Sequence, residues 1–152
     1  MGFTGVHTLC NDATKLNPAL PMADRILTDV PCSGLGILAK KPDLRYKKLE
    51  AARQAELLAT QAAILDTAAA LLKAGGRLVY STCTIDPAEN QQQIAAFLQR
   101  HPEFTVCAPD VRCRRNDGRG VRLPLSAHSH RHGRFFPVCA AKSRRNAITT
   151  TL

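Results

Sequence analysis

Residues 29–36 read Asp-Val-Pro-Cys-Ser-Gly-Leu-Gly and follow directly on a short apolar run. Residues 80–84 read Tyr-Ser-Thr-Cys-Thr and follow a second such run. One long helical pattern, which ends at Gly75-Gly76, separates the two segments, and the order strand, helix, strand is typical of parallel strands. The carboxyl ends of parallel strands meet at one edge of the sheet, where open α/β sheets bind ligands. We therefore expect Cys32 and Cys83 to lie together at that edge.

The rest of the chain continues the same alternation of strands and helices. The second helix has a capping-box pattern, with Asp86 as N-cap, Pro87 at the first position and Glu89 closing the box. The predicted elements are strands at 6–10 and 25–29, a helix at 49–74, a strand at 77–82, a helix from 86 to 101 and a strand at 104–106. This order predicts an α/β fold with a mostly parallel sheet.

Length and composition are those of one ordinary domain. The chain has 152 residues, 45% of them hydrophobic, which is enough for one core. No apolar run approaches the ~18 residues that span a bilayer, and residues 1–7 lack a secretory pattern, which favours a cytoplasmic protein without a membrane partner. The six cysteines show no zinc-type spacing, so we expect neither a structural metal nor a disulfide framework.

The net charge of +9 is unevenly distributed. Residues 1–105 carry 11 basic and 10 acidic side chains, whereas residues 106–152 carry 10 basic and two acidic ones. The charge and the loss of periodicity divide the chain into a domain at 1–106 and a basic tail at 107–152. A basic tail favours a nucleic-acid partner.

The residues around Cys32 add to its functional interest. Pro31 fixes one backbone angle and removes a donor, and Ser33-Gly34 lets the backbone approach a ligand closely. Asp29 ends an apolar strand, and a buried carboxylate beside two thiols is a candidate site. A cysteine at a strand end is, taken alone, more often a small buried hydrophobe.

Four segments carry a resemblance to a known family. Residues 29–36, 41–46, 75–84 and 87–90 resemble the RNA cytosine-C5 methyltransferases, above all the bacterial Sun/Fmu type that methylates small-subunit ribosomal RNA. The similarity runs from about residue 3 to residue 104. It implies a class I, Rossmann-like methyltransferase sheet with strand order 3-2-1-4-5-7-6, which here begins at the third strand and is truncated on its N-terminal side.

The resemblance also implies a reaction and its residues. Cys83 matches the nucleophile, whose thiolate adds to C6 of a flipped-out cytosine before S-adenosylmethionine methylates C5. Asp29 matches the residue that hydrogen-bonds the base and lies beside the cofactor. Cys32 matches the second cysteine, which assists product release.

Further residues match the cofactor and RNA contacts of the family. Asp12 matches the acidic residue at the adenine end of the cofactor, although by itself it reads better as a turn cap. Lys40, Lys41 and Arg45 lie in a loop beside the predicted site and could hold RNA phosphates. The alternative interpretation of these basic side chains is a solvated face.

Two departures from the family pattern bear on activity. The Asp-x-Cys-x-x-Pro-Gly-Gly-Lys cofactor loop and the acidic residue for the cofactor ribose are absent, so we expect this polypeptide to bind S-adenosylmethionine weakly or not at all. A one-nucleotide shift in a permissible back-translation turns residues 128–142 into Thr-Ala-Thr-Gly-Thr-Asp-Gly-Phe-Ser-Leu-Cys-Ala-Leu-Gln-Lys, which resembles the family ending. We therefore predict that the tail is a frameshift product, which the coding nucleotide sequence decides.

Two other functions stay open at this point. One is a non-catalytic RNA-binding remnant that uses the basic loop and tail. The other is a different cysteine-dependent enzyme on a doubly wound sheet, for which a general base would have to come from elsewhere in the sequence, since no histidine is near Cys83.

Overall fold

A four-stranded sheet with two helices forms the body of the protein. The computed structural model describes residues 4–46, 50–107, 112–114, 120–122, 128–130, 133–135 and 138–143. The main elements are β1 (Ala23–Asp29), α1 (Ala51–Leu71), β2 (Leu72–Ser81), α2 (Gln91–Arg100), β3 (Phe104–Cys107) and β8 (Val138–Lys142). Four short strands form two separate hairpin pairs: β4 (Arg112–Arg114) with β5 (Gly120–Arg122), and β6 (His128–His130) with β7 (Gly133–Phe135).

The main sheet has the order β1-β2-β8-β3. The strands β1 and β2 are parallel, with Ile26 opposite Leu78 and Asp29 opposite Ser81, as the strand–helix–strand pattern predicts. The order matches positions 4-5-7-6 of the expected methyltransferase sheet. The sheet is nevertheless mixed rather than mostly parallel, because β8 lies between β2 and β3 and runs antiparallel to both.

Strand β8 comes from the segment assigned to the basic tail. Strand β8 pairs with residues Arg77 to Tyr80 of β2 and with all four residues of β3. The charge pattern did not indicate this strand, because a five-residue strand between two others takes its stability from its neighbours rather than from its own periodicity. The sheet therefore continues beyond residue 106.

The predicted first strand at residues 6–10 is wrong. These residues have no strand pairing, and Val6 and Leu9 are 71% and 64% exposed. A strand forms only where a neighbour accepts its backbone hydrogen bonds, and no described strand lies beside this segment. In the described part of the chain, β1 is consequently an edge strand.

The core lies between the two helices and one face of the sheet. From Arg77 to Ser81 the side chains of β2 alternate between partly exposed and buried, which is the period of a strand with one covered face. Leu27 and Val106 are 68% and 60% exposed. The core residues are Val30, Leu65, Ala68, Ala69, Leu72, Leu78, Tyr80, Ile94, Phe97 and Phe104. None of the described helices is both long and apolar enough to cross a membrane.

Both helices differ in their bounds from the prediction. Helix α1 ends at Leu71, and the chain then turns through Gly75, whose φ of 81° is unfavourable for any residue with a side chain. Helix α2 begins at Gln91, so the capping box at Asp86 is wrong. Asp86 instead accepts a hydrogen bond from the amide of Ala88 at 2.9 Å, while Glu89 points into the interior.

Lys142 ties β8 to the end of α1. Its Nζ donates to the carbonyls of Ala69 and Leu72, both at 3.0 Å, at the C-terminal end of the helix, where a cation also interacts favourably with the helix dipole. We expect Lys142→Met to lower the free energy of unfolding by about 1–2 kcal/mol, since two charge-assisted bonds are lost while the stem is kept.

Urea denaturation measures this difference, and Lys73→Met is the matched control. Lys73 forms an exposed ion pair with Asp24 at 3.1 Å, which is worth about 0–1 kcal/mol. An equal loss in the two variants would show that Lys142 does not cap the helix.

Candidate active site

Two cysteine side chains meet at the carboxyl edge of β1 and β2. Cys32 follows β1 by three residues, and Cys83 follows β2 by two. Their Sγ atoms are 3.0 Å apart, and the amide of Cys83 donates to Sγ of Cys32 at 3.3 Å. Both are free thiols and both are partly buried. The structure thus brings together the pair that the strand pattern places at one edge.

The turns after the two strands are joined directly to each other. The amide of Gly36 donates to the carbonyl of Cys83 at 2.9 Å, and the hydroxyls of Ser33 and Thr84 are 2.7 Å apart. Gly34 has a φ of 73°, which allows the chain to turn sharply into the short helical turn Leu35–Ile37. The residues after Cys32 are thus hydrogen-bonded to Cys83 and to the residue that follows it, so each turn holds the other in place.

Asp29 lies at the same edge but is exposed, so the expectation of a buried carboxylate is wrong. Its Oδ1 accepts a hydrogen bond from the hydroxyl of Ser81 at 2.8 Å, across the parallel pair of strands. The exposure follows from the edge position of β1. Among the described residues Ser81 is its hydrogen-bond partner, which leaves Oδ2 available to a ligand.

The thiol of Cys83 is held in its neutral form. Burial raises its pKa, and the contact with Cys32 and the negative charge of Asp29 raise it further. A resting thiol, rather than a preformed thiolate, is the consequence at neutral pH. Attack by this sulfur therefore requires that its proton leave when the substrate binds.

A buried polar network, which the sequence pattern does not indicate, lies behind the thiol pair. Glu89 and Gln61 are fully buried, and Nε2 of Gln61 donates to Oε2 of Glu89 at 2.8 Å. Tyr80 is buried as well, its hydroxyl donates to the carbonyl of Glu89 at 2.7 Å, and burial raises its pKa. The available signal was a glutamine at an apolar position of the α1 pattern.

Asp29 also lines a cavity of about 320 Å³. Its walls come from the loop before β1, from β1 and from α1, and most of the lining is apolar. The lining residues are Asn11, Ala13, Leu20, Ile26, Leu27, Thr28, Asp29, Ile64, Thr67, Ala68 and Leu71. Its size is at the lower end for small-molecule sites.

Asp12 does not line this cavity. Its Oδ1 accepts from the amide of Thr14 at 3.0 Å and from the hydroxyl of the same residue, and these bonds lower its pKa. Lys15 lies 3.5 Å from its Oδ2. The observed contacts are those of a turn cap, whereas its neighbour Asn11 contributes to the cavity wall.

The three basic residues predicted to bind RNA lie between the Cys32 turn and α1. Lys40 and Lys41 are exposed, and the amides of both donate to the carbonyl of Ile37 in the turn that follows the thiol. Arg45 ends the next short helical turn, Pro42–Arg45. The loop therefore starts at the candidate site and presents two cations to solvent.

Comparison with known proteins identifies the family of the chain. The family described as 16S rRNA methyltransferase RsmB/F matches residues 1–140. A probable ribosomal RNA small subunit methyltransferase B from Synechocystis is 41% identical over 143 residues, which are 90% of this chain and 31% of that protein. Its counterpart from Bacillus subtilis is 46% identical over 68% of this chain and 24% of its own length.

A solved structure shows the same fold. The crystal structure of NSun6 from Pyrococcus horikoshii with SFG superimposes with a TM-score of 0.66 and 28% identity, covering 88% of this chain and 34% of that one. The chain thus spans about a third or less of each of these three proteins. On the extent of the family match and on this fold, the chain belongs to the 16S rRNA methyltransferase RsmB/F family.

Proposed function

We propose that this chain carries the nucleobase side of a site that methylates C5 of cytosine in small-subunit ribosomal RNA. The observation that carries the proposal is the contact between Cys32 and Cys83, 3.0 Å apart at a sheet edge with Asp29 beside them. A cytosine must leave its stack to reach such a site, as bases do in other enzymes that react at base atoms.

Cys83 is the proposed nucleophile. Its sulfur bonds to C6 of the cytosine while its proton passes to N3, and the electron pair of the C5–C6 double bond moves so that C5 becomes nucleophilic. C5 bonds to the methyl group, whose bond to the donor sulfur breaks so that the donor leaves as a thioether. Loss of the C5 proton to solvent re-forms the C5–C6 double bond, the bond from C6 to Cys83 breaks, and the sulfur regains the proton from N3. Cys32 lies against the same sulfur and is the proposed assistant in this release.

Asp29 is the proposed contact to the base. Oδ1 is oriented by Ser81, so Oδ2 is left to accept from the exocyclic amine or from a protonated N3. A carboxylate there favours positive charge on the base edge and so makes C6 more electrophilic. The exposure of Asp29 is compatible with a ligand that enters from solvent.

S-adenosylmethionine is the proposed methyl donor, and it supplies an activated methyl group when bound. The relative with SFG, an analogue of this cofactor, supports the proposal. The cavity beside Asp29 has mostly apolar walls for a flat ring and polar side chains at Asn11, Thr67 and Asp29, which fits the adenine end of the molecule. Asp12, next to Asn11 in the same loop, is a further proposed contact through its exposed carboxylate.

RNA is the proposed partner, held in part by the basic loop. Lys40 and Lys41 are exposed cations within a few residues of the Cys32 turn, and Arg45 follows in the same loop. Phosphate contacts of this kind position a nucleic acid without reading its sequence. A second candidate function, RNA binding without catalysis, is favoured by the same exposed lysines, which can hold phosphates whether or not Cys83 reacts.

A covalent complex with RNA containing 5-fluorocytosine tests the reaction. At millimolar S-adenosylmethionine, which offsets weak binding of the cofactor, we expect a complex that survives denaturing electrophoresis with the wild type and with Cys32→Ala, and none with Cys83→Ala, because only Cys83 attacks C6.

Cys10→Ala, which removes an exposed thiol elsewhere, is the control and should behave as the wild type. An equal yield of complex from Cys83→Ala would refute the assignment. Salt-sensitive RNA binding by all four proteins without any complex would favour the non-catalytic function.

The pH dependence of thiol alkylation tests the state of Cys83. Iodoacetamide reacts with the thiolate, so the rate at Cys83 should rise with pH through a midpoint well above the ~8.5 of an ordinary cysteine. Cys32→Ala removes one cause of the raised pKa and should move that midpoint down. A wild-type midpoint at or below the ordinary value, measured by mass spectrometry of the Cys83 peptide, would contradict this result.

Calorimetry tests the cofactor side. The Asp-x-Cys-x-x-Pro-Gly-Gly-Lys cofactor loop and the acidic ribose contact typical of the family are not present in these residues, so the cavity beside Asp29 offers contacts to one end of S-adenosylmethionine alone. We expect no saturable heat at micromolar concentrations of the cofactor, with S-adenosylhomocysteine as the matched ligand. A dissociation constant of about 1 μM, worth ~8 kcal/mol, would be inconsistent with this arrangement.

A further inference from the structure

A buried carboxylate holds the peptide that follows Cys32. Glu89 has no exposed surface, and its Oε2 accepts the amide of Ser33 at 3.0 Å. The same oxygen accepts Nε2 of Gln61, and that nitrogen also donates to the carbonyl of Pro31 at 2.9 Å. The peptide groups on both sides of Cys32 are therefore bound to one pair of side chains.

The pair is itself fixed to the strand that leads to Cys83. The hydroxyl of Tyr80 donates to the carbonyl of Glu89 at 2.7 Å and contacts Oε1 of Gln61 at 3.3 Å. Tyr80 lies three residues before Cys83 on β2 and is 1% exposed. One network therefore connects the backbone around Cys32 with the strand that positions Cys83.

Stability of the fold does not account for this arrangement. A carboxylate without solvent is costly, and well-packed apolar side chains of the same volume stabilise a core at least as well. Among the described residues Oε1 of Glu89 has no hydrogen-bond partner, so the group is not fully compensated. What the network does supply is a fixed direction for two backbone groups, which apolar packing cannot give.

We propose that Glu89 and Gln61 are positioning residues that hold Cys32 against Cys83. The inference rests on the proposed function, because the geometry that they maintain is that of the two thiols in the methylation site. Among the described residues neither side chain is hydrogen-bonded to a thiol, so both act through the Pro31–Ser33 backbone. Without them the turn relaxes and the 3.0 Å contact between the sulfurs opens.

Alkylation of the two thiols in the RNA-free chain is the test. In Glu89→Ala we expect the alkylation rate at Cys32 to rise about tenfold and the pH midpoint of alkylation at Cys83 to fall. The reason is that the turn no longer holds the two thiols in contact. Glu89→Gln keeps an oxygen for the Ser33 amide and should stay within about twofold of the wild type.

The control is Glu56→Ala, which removes an exposed carboxylate from the same helix as Gln61. Gln61→Leu keeps an apolar side chain of similar size and should reproduce the effect of Glu89→Ala, which keeps the test valid if Glu89→Ala does not fold. Amide exchange at Ser33 gives a second readout and should accelerate in both variants. Unchanged thiol rates and Ser33 exchange in a folded Glu89→Ala or Gln61→Leu chain would overturn the proposal.

The 5-fluorocytosine complex separates this inference from the proposed function. If the wild type forms no complex while the thiol rates respond to Glu89→Ala, the positioning role stands and the methylation does not. If the complex forms and the alkylation rates of the two thiols do not change in Glu89→Ala, the proposed methylation stands and the positioning role does not.

Discussion

The parallel pairing of β1 with β2 is the constraint on which the site depends. Its register places Asp29 opposite Ser81, and the amide of Val30 continues the pairing by donating to the carbonyl of Ser81 at 3.2 Å. Both chains then leave the sheet at the same level, which brings their cysteines within contact distance. A slip by one residue would turn every side chain of β1 to the other face and separate the thiols.

The two carboxylate side chains near the cysteines differ in their burial. The carboxylate at the open edge, Asp29, is exposed and has an oxygen to offer, whereas Glu89 lies deep and has its backbone-facing oxygen occupied. Cys83 lies between the exposed Asp29 and the buried Glu89. Burial is the largest cause of its raised pKa, and the contact with the thiol of Cys32 raises the pKa further. Reactivity at this sulfur is therefore controlled by what enters the edge.

The outer side of β1 is the open part of the described fold. Leu27 is exposed there, and the preceding segment runs past without joining the sheet. The cavity beside Asp29 is closed by that segment and by α1 rather than by a further strand. Hydrogen bonds therefore order the side of the site that would hold the base, whereas the proposed cofactor side is a mostly apolar cavity.

Local pattern was enough for α1, for the strands β1, β2 and β3, and for the meeting of Cys32 with Cys83, because helical spacing and strand ends are properties of neighbouring residues. It did not find β8, and it assigned a strand to residues 6–10, because pairing depends on which strands lie alongside. Glu89 shows the same limit: its spacing from Asp86 indicates a helix cap, but the Ser33 amide that it binds lies 56 residues away in sequence. The sequence alone determined which residues could carry the chemistry. Burial and long-range hydrogen bonding, which only the tertiary structure decides, determined which of them are oriented for it.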